Sequence, residues 1–181
     1  TRGKSPYKNC CSCGWVVDGE GKKMSKSLKN GTAPEKIIEQ YGADILRLWV
    51  ASSDYHSDVR ISFEYLKQLS DGYRKIRNTA RYILGNLKDF QPDLHQLPFQ
   101  QLHDIDKWAI ASCQKLIGEV RAAYEAFEFH DIYHAIHNFC AVDMSSFYLD
   151  VLKDRLYVEK KDGPDRRAAQ TAIYQILCAL D

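Results

Sequence analysis

Apolar residues recur every three or four positions through residues 63–87: Phe63, Leu66, Leu69, Tyr73, Ile76, Ala80, Ile83, Leu84 and Leu87. That period is the stripe of one long amphipathic helix and is incompatible with the two-residue alternation of a strand. The spacing returns from Asp104 onward, with Trp108, Ala111, Leu116, Val120, Ala123 and Phe127 as the stripe. Asp104 itself suits the positive end of a helix dipole. A third stripe over residues 130–157 holds Ile132, Ile136, Phe139, Val142, Met144, Phe147, Leu149, Val151 and Leu152. A fourth follows the Lys160-Lys161-Asp162-Gly163-Pro164 turn, with Ala169, Ile173, Ile176, Leu177 and Leu180. Residues 88–103, rich in Gln and Pro, read as a connector. Helices with one apolar face must bury it against one another, so residues 63–181 are expected to form an antiparallel helical bundle.

The first 62 residues follow a different pattern. Trp15-Val16-Val17 is a short strand entering an Asp18-Gly19-Glu20-Gly21 turn, since Asp-Gly favours positive φ. Residues 22–31 are polar and bounded by glycine, a mobile loop. Thr32-Ala33-Pro34-Glu35 starts a helix that Gly42 ends. Residues 44–51 form a second, well-buried helix through Ile45, Leu46, Leu48, Trp49 and Val50, and residues 58–62 alternate as a candidate short strand. The fold class expected is mainly α, with a small α/β piece in residues 1–62 and the bundle in 63–181.

The formal net charge is +1, from 25 Lys+Arg against 24 Asp+Glu, which excludes a uniformly basic nucleic-acid binder. The charge is nevertheless uneven. Residues 1–31 hold seven basic side chains (Arg2, Lys4, Lys8, Lys22, Lys23, Lys26, Lys29) and two acidic ones (Asp18, Glu20), a balance of +5 that leaves −4 for the rest. Concentrated positive charge of this kind suits phosphate groups. No stretch approaches the roughly 20 apolar residues of a membrane helix, and no apolar run of a signal peptide opens the chain. Six cysteines, three at Cys10, Cys11 and Cys13 and three scattered in helices, do not make a disulfide framework. The thiols are expected to be reduced and the chain cytoplasmic, without membrane partners.

The chemistry sits in Gly19-Glu20-Gly21-Lys22-Lys23-Met24-Ser25-Lys26-Ser27-Leu28-Lys29-Asn30. Two lysines three residues apart, with hydroxyls between them, can place ammonium charges and donors against phosphates. In nucleotidyl transfer, catalysis is largely positioning and charge stabilisation. The bland alternative is a solvated lysine run. Lys23-Met24-Ser25-Lys26-Ser27 matches the KMSKS signature of class I aminoacyl-tRNA synthetases. Tyr41-Gly42-Ala43-Asp44-Ile45-Leu46-Arg47 resembles the segment downstream of it. Residues 46–55, 73–81, 124–130 and 146–157 resemble the isoleucyl branch, so the likeness covers nearly the whole chain. Two positions depart from it: Cys13 stands where His is usual, and Lys29 where Gly is frequent.

The resemblance implies a protein that activates isoleucine with ATP and Mg²⁺ and passes the isoleucyl group to tRNA(Ile). Lys26 and Lys23 are then the catalytic cations. Lys23, Met24, Ser25, Lys26 and Ser27 form the ATP-binding loop, with Ser25 and Ser27 shaping it. Residues 1–62 become the end of a catalytic domain with its stem-contact region, and 63–181 part of an anticodon-binding bundle. Arg74, Arg77, Asn78 and Arg81 on the first long helix are the tRNA candidates, with pairing to Asp71, Asp150 or Asp154 as the alternative use of those charges. The family's HIGH motif, nucleotide-binding sheet and editing domain do not occur here, and its zinc-binding cysteines are expected beyond Asp181. ATP and isoleucine would be met through a separate catalytic part, and the parent protein is expected to be monomeric.

Two metal-like patterns are set aside. Cys10-x-x-Cys13 is half of a zinc site with no second CxxC. His130-Asp131-Ile132-Tyr133-His134, continued by His137 and Cys140, imitates HExxH but has Asp for Glu and lies on an apolar stripe. No zinc is expected within these residues. Thr1 in place of Met, and a last helix without a capping signal, make an excised segment the expected nature of the chain. The alternatives are a stand-alone RNA-binding module derived from such an enzyme, or a segment of a valyl or leucyl relative.

Overall fold

In a computed structural model the described residues are 3–181. Thr1 and Arg2, the unusual first residue and one of the seven basic ones, lie outside them. The chain divides into two compact units, residues 1–69 and 70–181. It is mainly helical, with one pair of short parallel strands.

The first unit is built around strands β1 (Val16–Val17) and β2 (Val59–Arg60), paired in parallel. Two residues a strand is too little to hold a sheet, so side chains fasten it. Asp58 Oδ1 accepts the Trp15 amide at 2.8 Å, and the Trp49 indole donates to the Arg60 carbonyl at 3.2 Å. Helix α1 (Pro34–Tyr41) has Pro at its first position and buries Ile37. Gly42, at φ 88°, ends it and immediately opens α2 (Ala43–Ser52), a reversal that glycine makes without strain. Helix α2 buries Ile45, Trp49 and Ser52 at i, i+4 and i+7. Val50, expected inside, is exposed because it lies off that face. In the turn after β1 the positive φ falls on Gly21, not on Gly19.

Gly14 is required for a different reason. Its amide donates to the Tyr55 carbonyl at 2.9 Å, and a Cβ placed on it would lie 2.2 Å from the Ser57 carbonyl oxygen. That neighbour is backbone and cannot turn aside. Gly14→Ala is therefore expected to push the strand pair apart, at a cost of about 1–3 kcal/mol typical of overpacking. The amides of Val59 and Ile61, bonded to Trp15 and Val17 carbonyls, should exchange with solvent several-fold faster. Unchanged exchange at both would contradict the contact.

Helix α3 (Phe63–Asn86) starts where the Ser62 hydroxyl accepts the Tyr65 amide, and the division between units falls within it. The connector holds a one-turn helix α4 (Pro92–His95) and a 3₁₀ turn (Phe99–Gln101). Helix α5 (Asp104–Ala126) begins at a reciprocal cap of His103 and Asp106. Leu116 is buried as expected, but the other buried apolar residues, Ala109, Ile110 and Cys113, lie beside the expected stripe: Trp108 and Ala111 are exposed, and Trp108 meets Phe147 edge-on. Helix α6 (Phe129–Asn138) leads into a π-helical stretch (Phe139–Tyr148), then α7 (Leu149–Val151) and α8 (Lys153–Tyr157).

The single helix expected over 130–157 is thus interrupted. In the π stretch the pairing reaches further than in an α-helix, so each turn takes more than about 3.6 residues. The buried positions follow the wider turn: Phe139, Cys140, Met144, Tyr148 and Leu149 face in, while Val142 and Phe147 face out. The Thr79 hydroxyl lies within reach of the Cys140 carbonyl (3.2 Å) and the Ser145 hydroxyl (2.8 Å), and steadies the stretch.

Helix α9 (Pro164–Leu180) is buried on nearly all sides through residues 167–173 and packs on α5 and α8. Two polar clusters flank it. The carboxylate of Asp106, fully buried, accepts both arms of Arg155 (2.9 and 2.7 Å) and the Tyr148 hydroxyl (2.8 Å). Asp89 takes both arms of Arg166, and Arg167 reaches Asp162 and Gln170. The Arg166 guanidinium holds the Asp89 carboxyl well below the usual carboxylate range, so that cluster remains ionised in mild acid.

Candidate phosphate-binding loop

The loop from Lys22 to Gly31 is folded back on itself. Asp18 shapes its entry: one carboxylate oxygen accepts the Glu20 and Lys22 amides at 3.0 and 2.8 Å. Lys23 then forms an antiparallel bridge with Val17. Asn30 closes the other end, accepting the Ser25 amide at 2.9 Å and donating to Asp18 at 2.7 Å. Hydrogen bonds from Asn30 and the Lys22 backbone lower the Asp18 pKa and keep it anionic. Ser25 and Ser27 hydroxyls lie 3.1 Å apart, and Ser25 accepts the Leu28 amide at 3.2 Å. Lys29 sits at φ 49°, a left-handed conformation that glycine takes more readily.

Lys23, Lys26 and Lys29 are exposed, and among the described residues none has a carboxylate within ion-pair distance. Lys22 alone is neutralised, by Glu20 at 2.7 Å. The backbone is therefore spent on holding the loop while three ammonium groups stay free, the arrangement an anionic ligand requires. Met24, between them in sequence, is half-buried. Asp18 and Asn30 were not among the residues singled out from the sequence. Their signal was present as Asp-Gly before the motif and Asn-Gly after it, since Asx side chains bind nearby backbone in turns.

In the second unit Arg74, Arg77, Asn78 and Arg81 are all exposed, and their i, i+3, i+4, i+7 spacing places them on one face of α3. Arg74 pairs with Asp71 at 3.1 Å, while Asp150 is taken by Lys153. Among the described residues Arg77 and Arg81 make no ion pair. His130 contacts Glu128 and Asp131 at 3.6 and 3.5 Å. His137 lies against Gly72, and burial with nearby Lys75 lowers its pKa. The described residues contain no group of three or more His, Cys, Asp or Glu able to hold a metal. All six cysteines are free thiols, and burial lifts the Cys140 pKa to about 11. No described helix is long and apolar enough to cross a membrane.

Comparison with known proteins gives a consistent picture. Residues 1–62 match the family of tRNA synthetases class I (I, L, M and V), and residues 106–180 match the anticodon-binding domain of tRNA ligase. An isoleucine–tRNA ligase of Syntrophotalea carbinolica is 61% identical over 177 residues, 98% of this chain and 19% of the relative. One from Natranaerobius thermophilus is 57% identical over 180 residues, 99% of this chain and 19% of its own length. The chain thus spans about a fifth of the length of the curated relatives it matches. The LeuRS of Agrobacterium radiobacter K84, solved in a ternary complex with tRNA and LeuAMS, shares the fold. Its TM-score is 0.66 at 20% identity, over 93% of this chain and 20% of that one.

Proposed function

The chain belongs to the class I tRNA synthetases, and on that premise we propose that it is a segment of an isoleucine–tRNA ligase. Residues 1–62 would end the catalytic domain, and residues 63–181 would begin an antiparallel anticodon-binding bundle. The whole ligase would join isoleucine to ATP, release pyrophosphate, and transfer the isoleucyl group to tRNA(Ile). The observation that carries the reading is the loop itself, with Lys23 and Lys26 unpaired above a backbone closed by Asn30.

As the bond to the leaving pyrophosphate breaks, negative charge grows on its oxygens. Lys26, with Lys23 beside it, would meet that charge, and prepositioned cations stabilise a transition state without reorganising. Ser25 and Ser27 would keep the turn between the two lysines. Mg²⁺ is the usual companion of ATP in such chemistry, and the described residues hold no group of three or more His, Cys, Asp or Glu that would bind it. On α3, unpaired Arg77 and Arg81, with Arg74 and Asn78, would contact the tRNA backbone. The parent would act as a cytoplasmic monomer.

Half of the active site should not suffice. The 181-residue chain, given isoleucine, ATP and labelled pyrophosphate, is expected to show no isoleucine-dependent exchange, while the intact parent shows it. Exchange by the chain alone would overturn the division of labour proposed here.

A further inference from the structure

One pair of side chains twelve positions apart, Asp18 and Asn30, fastens the whole loop. Both ends of the Asn30 amide group are engaged. Its Nδ2 donates to Asp18 Oδ2 at 2.7 Å and to the Lys23 carbonyl at 3.3 Å, and its Oδ1 accepts the Ser25 amide at 2.9 Å. The other oxygen of Asp18 holds the entry turn through the Glu20 and Lys22 amides. Lys23 is thereby fixed at its own carbonyl, and Lys26 follows directly after the fixed amide of Ser25. The negative charge of Asp18 is turned toward amides, so it does not neutralise either ammonium.

We propose that Asp18 and Asn30 are positioning residues whose clasp presents Lys23 and Lys26 to the polyphosphate of ATP. The proposal rests on the phosphate-binding role given to the loop above. Ordering a free loop around a ligand costs conformational entropy at the moment of binding. A clasp made during folding removes that cost and fixes the ammonium groups where charge develops.

The test exchanges the partners in the intact parent. Asn30→Ala removes the clasp, Asn30→Asp sets two carboxylates face to face, and Asp18→Asn sets two amides face to face. Each single change is expected to lower kcat/KM for ATP by roughly 10- to 100-fold, the scale of a misplacement of about 1 Å, with KM for isoleucine unmoved. The double variant Asp18→Asn, Asn30→Asp restores a donor facing an acceptor and keeps an acceptor for the Ser25 amide, at the cost of a carboxylate oxygen facing the Lys23 carbonyl across the long contact. It should recover most of the loss. Single variants with native ATP kinetics, or a double variant no better than the singles, would overturn the clasp. In the 181-residue chain, hydrogen exchange at the Ser25 amide should quicken in Asn30→Ala and return in the double variant; an unchanged rate would also overturn it. A parent that lacks exchange with native Asp18 and Asn30 contradicts the ligase reading instead, and the Ser25 amide still decides the clasp.

Discussion

Replacing Lys26 with alanine in the intact parent is expected to slow isoleucine-dependent ATP–pyrophosphate exchange by roughly 10²–10³, the cost of removing one preorganised charge from a transition state. The loop geometry explains why so large a kinetic effect should come with almost no loss of stability. Lys26 is exposed and makes no ion pair among the described residues, and such surface changes usually stay within about 0.5 kcal/mol. The ammonium does little in water, where its field is screened. In the proposed role its worth would come when substrate and the rest of the active site exclude solvent, because the same charge would then act in a lower dielectric. Lys23→Ala should cost less if its role is to assist. Lys26→Arg keeps the charge but spreads it over a planar fork, and should retain part of the rate. KM for isoleucine should hardly move in any of them. Native exchange in Lys26→Ala would remove the residue from the reaction.

The largest effect on stability is expected at Asp106, far from any reacting group. Its fully buried carboxylate accepts two arms of Arg155, whose side chain is 16% exposed, together with the Tyr148 hydroxyl. Burial and the neighbouring carboxylate push the Tyr148 hydroxyl far above its ordinary pKa, so it serves here only as a donor. Asp106→Ala leaves a buried guanidinium without a counter-charge. Breaking one side of such a pair costs about 3–5 kcal/mol, a large share of the roughly 5–15 kcal/mol by which domains are stable. It also removes the carboxylate that caps α5 at His103. The urea midpoint of residues 70–181 should fall accordingly, with its slope unchanged. Removing both charges together, with Asp106→Leu, Arg155→Met and Tyr148→Phe, should cost much less than Asp106→Ala alone. A loss under about 1 kcal/mol in the single variant would show that the cluster is not a structural keystone.

The strong helical periods were legible in the sequence because burial imposes them. Leu66, Leu69 and Ile83 of α3 are buried as the stripe requires, while Phe63 and Leu84 of the same stripe are exposed. On α5 the apolar period is misleading because Trp108 has the character of a core residue, whereas its indole lies against Phe147 at the surface. The π-helical stretch left no mark in composition. Its wider turn lies in backbone pairing, and only Thr79 and Ser146 hint at it, their hydroxyls donating to the Cys140 and Ala141 carbonyls. The loop lysines were legible as a motif, but the Asp18–Asn30 pairing was not. A twelve-residue closure depends on how the turn at Gly21 returns the chain beside Val17, and that is set by three-dimensional packing.

The most direct measurement of the central claim is ATP–pyrophosphate exchange by the intact parent with a panel of amino acids. Isoleucine is predicted to drive exchange far more efficiently than leucine, valine or methionine, and to do so only while Lys26 is present. Exchange driven best by any of the other three, or by none, would contradict the account.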